Sequence, residues 1–202
     1  MGQRLIVTIE NDEKELAKIY YHWSAYTGSA LYITKKVIDC IYNHKAETES
    51  EMLLRLIRFC EESGGGIVGN EEYNEREYVQ NLFPNEKFKS DNISRNDGII
   101  ALSQKGMDGT QSWSEGDVYI NLSTDQVDFC VYSGYDSLEE YIEERKSWDD
   151  EFDEKELNNM PTFDFSLGYF DVHDIDAIIA SLDVTDYEGV IKCDGEICEL
   201  IG

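Results

Sequence analysis

The sequence predicts a single α+β domain spanning residues 1–202, built as an antiparallel sheet with helices packed on at least one face. Three observations predict it. Alternating, β-branched segments occur together with segments of helical period. Apolar residues make up 41% and aromatics 12% of the 202 residues, enough for a core. No internal repeat, low-complexity tract or Pro/Ser-rich linker divides the chain, and its length favours one domain.

The elements follow in order. "RLIVTIE" alternates and reads as a strand, and "NDE" turns it into a second strand around "LAKIYYHW". In "TGSALYITKKVIDCIYNH", Ala30, Ile33, Val37 and Ile41 keep helical spacing, with Thr27 or Ser29 as N-cap. "TESEMLLRLIRFCEESGGG" is a second helix, opened by the capping box Thr48–Glu51 and stopped by the glycines from Gly64. "NEEYNEREYVQNLFP" is a third, ended by Pro84. "GIIALS", "GDVYINLS" and "QVDFCVYS" are short strands, the last two joined as a hairpin. "SLEEYIEERKSW" returns to helix, capped by Ser137 with Glu140 in the capping-box position. "TFDFSLGYF" alternates again. "DVHDIDAIIASL" puts Val172, Ile175, Ile178, Ile179 and Leu182 on one helical face, and "GVIKCDGEICELI" is a hairpin about Asp194-Gly195.

Charge narrows the function. The chain carries −26 at pH 7, and it is unevenly placed. Residues 1–100 hold 12 basic and 17 acidic side chains; residues 101–202 hold 5 and 26, a net of −21. Halophilic adaptation would load both halves. Direct binding to nucleic acid or to an anionic membrane is disfavoured, because both need positive charge at contact. A basic partner is favoured, with encounter accelerated by steering.

The stretch "SLEEYIEERKSWDDEFDEKE" concentrates this charge, with ten carboxylates against three basic side chains. Glu139, Glu140, Glu143 and Glu144 form two adjacent rows on one helix, which Leu138 and Ile142 would dock. Four carboxylates over six residues give about one charge per 2.2 Å, against about one per 1.7 Å in duplex DNA. Asp149, Asp150, Glu151 and Asp153 extend the array. A second cluster, Asp171, Asp174 and Asp176, falls at or near a helix start. Carboxylates there satisfy free N–H groups and the positive helix end, or extend the same anionic surface. These eleven residues are the expected partner-binding set.

Motifs for chemistry are sparse. Neither "RNDGII" nor "DYEGVI" meets the EF-hand pattern, so no metal site is expected. Cys40 and His44 share a helical face, but a zinc site needs two further ligands and no C-x-x-C is present. "SGGGIVGN" follows a helix rather than a strand, which makes it a helix end and loop rather than a phosphate-binding turn. G-x-S-x-G, the P-loop and the dinucleotide fingerprint are missing, so no catalytic residue and no cofactor are assigned. The aromatics of "YYHWSAYTGSALY" most simply build core and sheet edge, although Tyr20, Tyr21, Trp23 and Tyr26 are of the type that anchors interfaces.

Five cysteines, an odd number, lack the density of a disulfide scaffold. The opening "MGQRLIVTIENDEKE" has neither a signal-peptide pattern nor a myristoylation match, and no window reaches the length of a membrane span. The expectation is a soluble protein of the reducing cytoplasm.

The segment "MGQRLIVTIE…YYHWSAYTGSAL", roughly the first thirty residues, resembles the start of small uncharacterised acidic proteins from Gram-positive bacteria and their phages. The resemblance implies a phage or mobile-element setting, hence a host-cell cytoplasm, and nothing about catalysis. Together with the charge it gives the leading expectation: a non-enzymatic, anti-CRISPR-like inhibitor that blocks a basic nucleic-acid-binding groove as an acidic DNA mimic. Its partner would be a basic host protein such as a CRISPR effector nuclease. Two alternatives stand beside it, a small enzyme with an unrecognised Cys- or carboxylate-based site and an assembly protein using the aromatic N-terminal face.

Overall fold

In the computed structural model, residues 4–25, 27–43, 48–89, 97–131 and 168–181 are described, together with 143, 147, 192–193 and 196–197. The first hairpin forms as predicted, β1 (Leu5–Asn11) and β2 (Lys14–Tyr21) turning through Asp12 at φ 53°. α1 (Thr27–Tyr42) buries Ala30, Val37 and Ile41, the predicted stripe, while Ile33 packs at its margin. α2 (Glu49–Glu62) starts at the predicted capping box. Thr48 Oγ1 accepts from Glu51 N–H at 3.2 Å, and Glu51 accepts from Thr48 N–H at 3.2 Å.

The third predicted helix is broken. A 3-10 turn (Glu71–Tyr73) ends at Asn74, which adopts the left-handed conformation at φ 53°, and α3 (Glu75–Leu82) starts afresh. Asparagine visits that region more readily than most residues, so it is the natural breaking point. Two elements are additions to the sequence reading: β3 (Gly66–Ile67), inside the glycine-rich stretch, and α4 (Gln104–Gln111) after β4 (Ile99–Ala101). β5 (Gly116–Asn121) and β6 (Gln126–Cys130) form the expected hairpin. β7 (Gly168–Asp171) leads through a 3-10 turn (Val172–Asp174) into α5 (Ile175–Ser181). β8 (Lys192–Cys193) pairs with β9 (Glu196–Ile197), as the Asp194-Gly195 signal predicts.

Among the described residues seven strands make one sheet, in the order β3-β4-β2-β1-β5-β6-β7. The α+β class holds, but the sheet is mixed rather than purely antiparallel: β1 runs parallel to β5 and β3 parallel to β4. Local pattern reports strands but not which distant strand pairs with which, and β1 and β5 lie 111 residues apart in register. Their junction is clamped by a fork. Arg4 Nε and Nη2 donate to Glu115 Oε2 and Oε1 at 3.1 and 2.9 Å, and Glu115 N–H donates to Arg4 O at 2.8 Å. Burial raises the Glu115 pKa, but the Arg4 hydrogen bonds and charge outweigh it and leave the carboxyl below its usual range.

One sheet face carries the main core. Leu5, Val7, Ile9, Ile19, Val118, Ile120, Val127 and Phe129 meet residues of α1, α2 and α5. A bulge in the β1–β2 ladder opposite Ile9 and Glu10 lets both Leu16 and Ala17 point into this core. The opposite face is covered at its β4–β2 end, where Ile6, Tyr20, Val68, Ile99 and Ala101 pack with Met107 of α4, Tyr73 and Trp113.

Candidate functional site

Past the cluster around Met107 the second face changes character. Strand register lines its side chains into three rows across the sheet. One row runs Lys18, Thr8, Tyr119, Asp128, Tyr169; a second runs Tyr20, Ile6, Asp117, Cys130; a third runs Glu15, Glu10, Asn121, Gln126, Asp171. Neighbouring strands stand about 4.8 Å apart and same-face residues of one strand about 6.7 Å. Five carboxylates therefore share this grid with one lysine.

The lysine is spoken for. Lys18, itself buried, pairs with Glu15 at 2.9 Å and donates to Gln111 Oε1 at 2.8 Å, and Gln111 Nε2 donates to Asp117 at 2.8 Å. Asn121 Nδ2 donates to Glu10 at 2.9 Å, and the Cys130 thiol donates to Asp128 at 3.3 Å. Tyr119 has its pKa pushed up to about 12, first by burial and then by the charges of Asp117 and Glu15. The exposed Tyr169 hydroxyl is raised chiefly by its hydrogen bond to Asp128. Neighbouring carboxylates disfavour the charged form of both phenols, as a negative face should. The sequence reading did not single these residues out, although the alternation in "GDVYINLS" and "QVDFCVYS" is the signal that sets Asp117 with Tyr119 and Asp128 with Cys130 on one side of each strand. Only the register added Glu10, Glu15 and Asp171 to them.

The eleven predicted partner-binding residues fall into two groups. Glu139, Glu140, Glu144, Asp149, Asp150, Glu151 and Asp153 lie outside the described residues. Glu143 is helical and exposed. Asp171, Asp174 and Asp176 are exposed at the approach to α5. Asp171 accepts from His173 N–H at 2.9 Å, and Asp176 pairs with Lys35 at 3.0 Å, so both have local structural tasks. Tyr20 and Tyr21 are core residues, Trp23 is 47% exposed, and Tyr26 lies outside the described residues.

Among the described residues cysteine chemistry finds little support. Cys40, Cys60 and Cys130 are free thiols, and burial is the largest cause raising each pKa, to about 11 for Cys40 and Cys130 and higher still for Cys60. A nucleophilic cysteine needs the opposite shift. Among the described residues no group of three or more His, Cys, Asp or Glu could hold a metal ion, and no helix is long and apolar enough to cross a membrane. His44, from the Cys40–His44 pair, is outside the described residues. Comparison of the chain with protein-family models, with curated proteins and with solved structures returns no match in any of the three.

Proposed function

We propose that this protein is a non-enzymatic inhibitor that docks on the basic groove of a nucleic-acid-binding protein and excludes its nucleic acid, as an acidic DNA mimic. The observation that carries this reading is a sheet face with five carboxylates and one already-paired lysine, in a chain of net charge −26. Glu139, Glu140, Glu143 and Glu144 would add a second anionic row contributed by the acidic half. A cationic groove gains from both through Coulomb attraction and faster encounter. A defence nuclease such as a CRISPR effector, met in a host cell, is the partner class that the resemblance of the first thirty residues implies.

The test is capture from a bacterial host lysate on immobilised full-length protein, followed by competition. A basic nucleic-acid-binding protein should be retained, be displaced by added DNA or RNA, and be lost as salt rises from about 0.1 M to 1 M, where the Debye length shrinks from about 10 Å to 3 Å. Asp117→Asn with Asp128→Asn, or Gln at the four glutamates of 139–144, should weaken retention. A captured partner indifferent to salt and to nucleic acid would refute the reading.

A further inference from the structure

Four large apolar side chains stand exposed among the described residues, and two of them share one place. Tyr78, 42% exposed, and Leu82, 47% exposed, lie one turn apart on α3 and open into a groove of about 750 Å³. Leu16, Leu53, Leu102 and Met107 also line it, so β2, α2, α3 and the start of α4 all meet there. Exposing two large apolar side chains on one turn costs solvation without serving the core, which the buried Val79 of the same helix already does.

The rim is anionic. Glu13 and Glu15 of the first hairpin and Glu49 at the start of α2 border the groove. Lys14 pairs with Glu49 at 3.0 Å and the buried Lys18 with Glu15 at 2.9 Å, so three carboxylates meet two lysines and the rim keeps an anionic excess at Glu13. Glu15 belongs both to this rim and to the carboxylate grid of the sheet, so the apolar groove and the negative face are continuous. That charge selects the occupant. A second copy would bring another −26, and this chain's own second half, with 26 acidic side chains, would meet like charge at the rim.

We propose that the groove receives a segment of the partner protein bearing one or two large apolar side chains flanked by lysine or arginine. Tyr78 and Leu82 span about 6 Å of helix, the reach of an apolar pair at i and i+4 on an incoming helical segment. The inference rests on the reading of a cationic partner, but it assigns the apolar part of recognition to a separate place from the carboxylate grid.

Three synthetic peptides of equal length would test it by calorimetric titration into the full chain, with amide chemical shifts reporting location. One alternates Lys and Leu in helical register, one replaces Leu by Gln, and one replaces Lys by Glu. The Lys/Leu peptide should bind about tenfold or more tightly than the Lys/Gln peptide, the increment of one buried anchor. Its shifts should centre on α3 and Leu53. Leu82→Asp, and separately Tyr78→Ser, should abolish that increment and leave the Lys/Gln affinity unchanged; both sites are exposed, and melting curves check that the fold persists. Equal affinities of the Lys/Leu and Lys/Gln peptides, or an increment insensitive to both substitutions, would overturn the groove. Tight binding of the Glu/Leu peptide would overturn the partner chemistry. Self-association lost in L82D would assign the groove to a second copy, and failure to bind any peptide would leave it to this chain's own segment; either overturns the proposal. Failure of the Lys/Gln peptide alone counts against the anionic face and not against the groove.

Discussion

Thr8 sits in the middle of β1, fully buried between Lys18 on one neighbouring strand and Tyr119 on the other. Its hydroxyl finds no hydrogen-bond partner among the described residues. A buried hydroxyl left unpaired costs about 1–3 kcal/mol of desolvation, while valine has nearly the same shape and no polar atom to desolvate. Thr8→Val is therefore expected to stabilise the fold by about 1 kcal/mol, read as a higher midpoint in urea unfolding with unchanged slope. Glu75 is the opposite case. It is equally buried but satisfied, accepting from Leu102 N–H at 2.5 Å, from Ser103 N–H at 3.0 Å and from the Ser103 hydroxyl. The same hydroxyl accepts from Gly106 N–H at 3.0 Å, so one carboxylate and one serine together satisfy the N–H groups of Leu102, Ser103 and Gly106 at the start of α4. Neither residue announced itself in the sequence, where a Thr in a strand and a Glu in a charged helix are both ordinary.

Helix α4 shows how an element can be set by its neighbours rather than by its own composition. Its sequence, QKGMDGTQ, holds two glycines, a threonine and an aspartate, all poor helix formers, and a single large apolar residue. No amphipathic stripe was legible there. What holds it is the Ser103 cap, the Glu75 carboxylate and the burial of Met107 against the sheet. The glycines are required by contact. A Cβ on Gly106 would collide with the Glu75 carboxylate, and one on Gly109 with the Tyr73 ring. Gly→Ala in a helix interior ordinarily stabilises by about 1 kcal/mol. Gly106→Ala should instead destabilise, by about 1–3 kcal/mol through overpacking, and a raised melting temperature would contradict this account. By contrast α2 was readable to its first residue, because the Thr48–Glu51 box and the spacing of Met52, Leu53, Leu56 and Cys60 are both local.

At the scale of the molecule, charge is the dominant property. A net −26 must repel itself in the compact state, and the grid on the sheet face concentrates part of that repulsion. Added salt should relieve it. Raising NaCl from about 0.01 M to 0.5 M, across which the Debye length falls well below the dimensions of the fold, is expected to raise the melting temperature by several degrees. A melting temperature that stays flat or falls would mean that the attractive pairs, such as Arg4–Glu115 and Lys35–Asp176, outweigh the repulsion. The same salt would weaken partner capture, so stability and binding should move in opposite directions. A protein whose surface charge serves solubility alone would show the first effect without the second.

The sequence by itself determined the α+β class, the hairpins, the first two helices and the sign of the net charge, because alternation, capping and charge are properties of neighbouring residues or of the whole count. Only the tertiary structure decided that β1 lies parallel to β5, that α4 exists, and that Glu10, Glu15, Asp117, Asp128 and Asp171 share one face. Those outcomes depend on pairing between segments as much as 111 residues apart, and the free energy of such pairing resides in contacts that no local window contains.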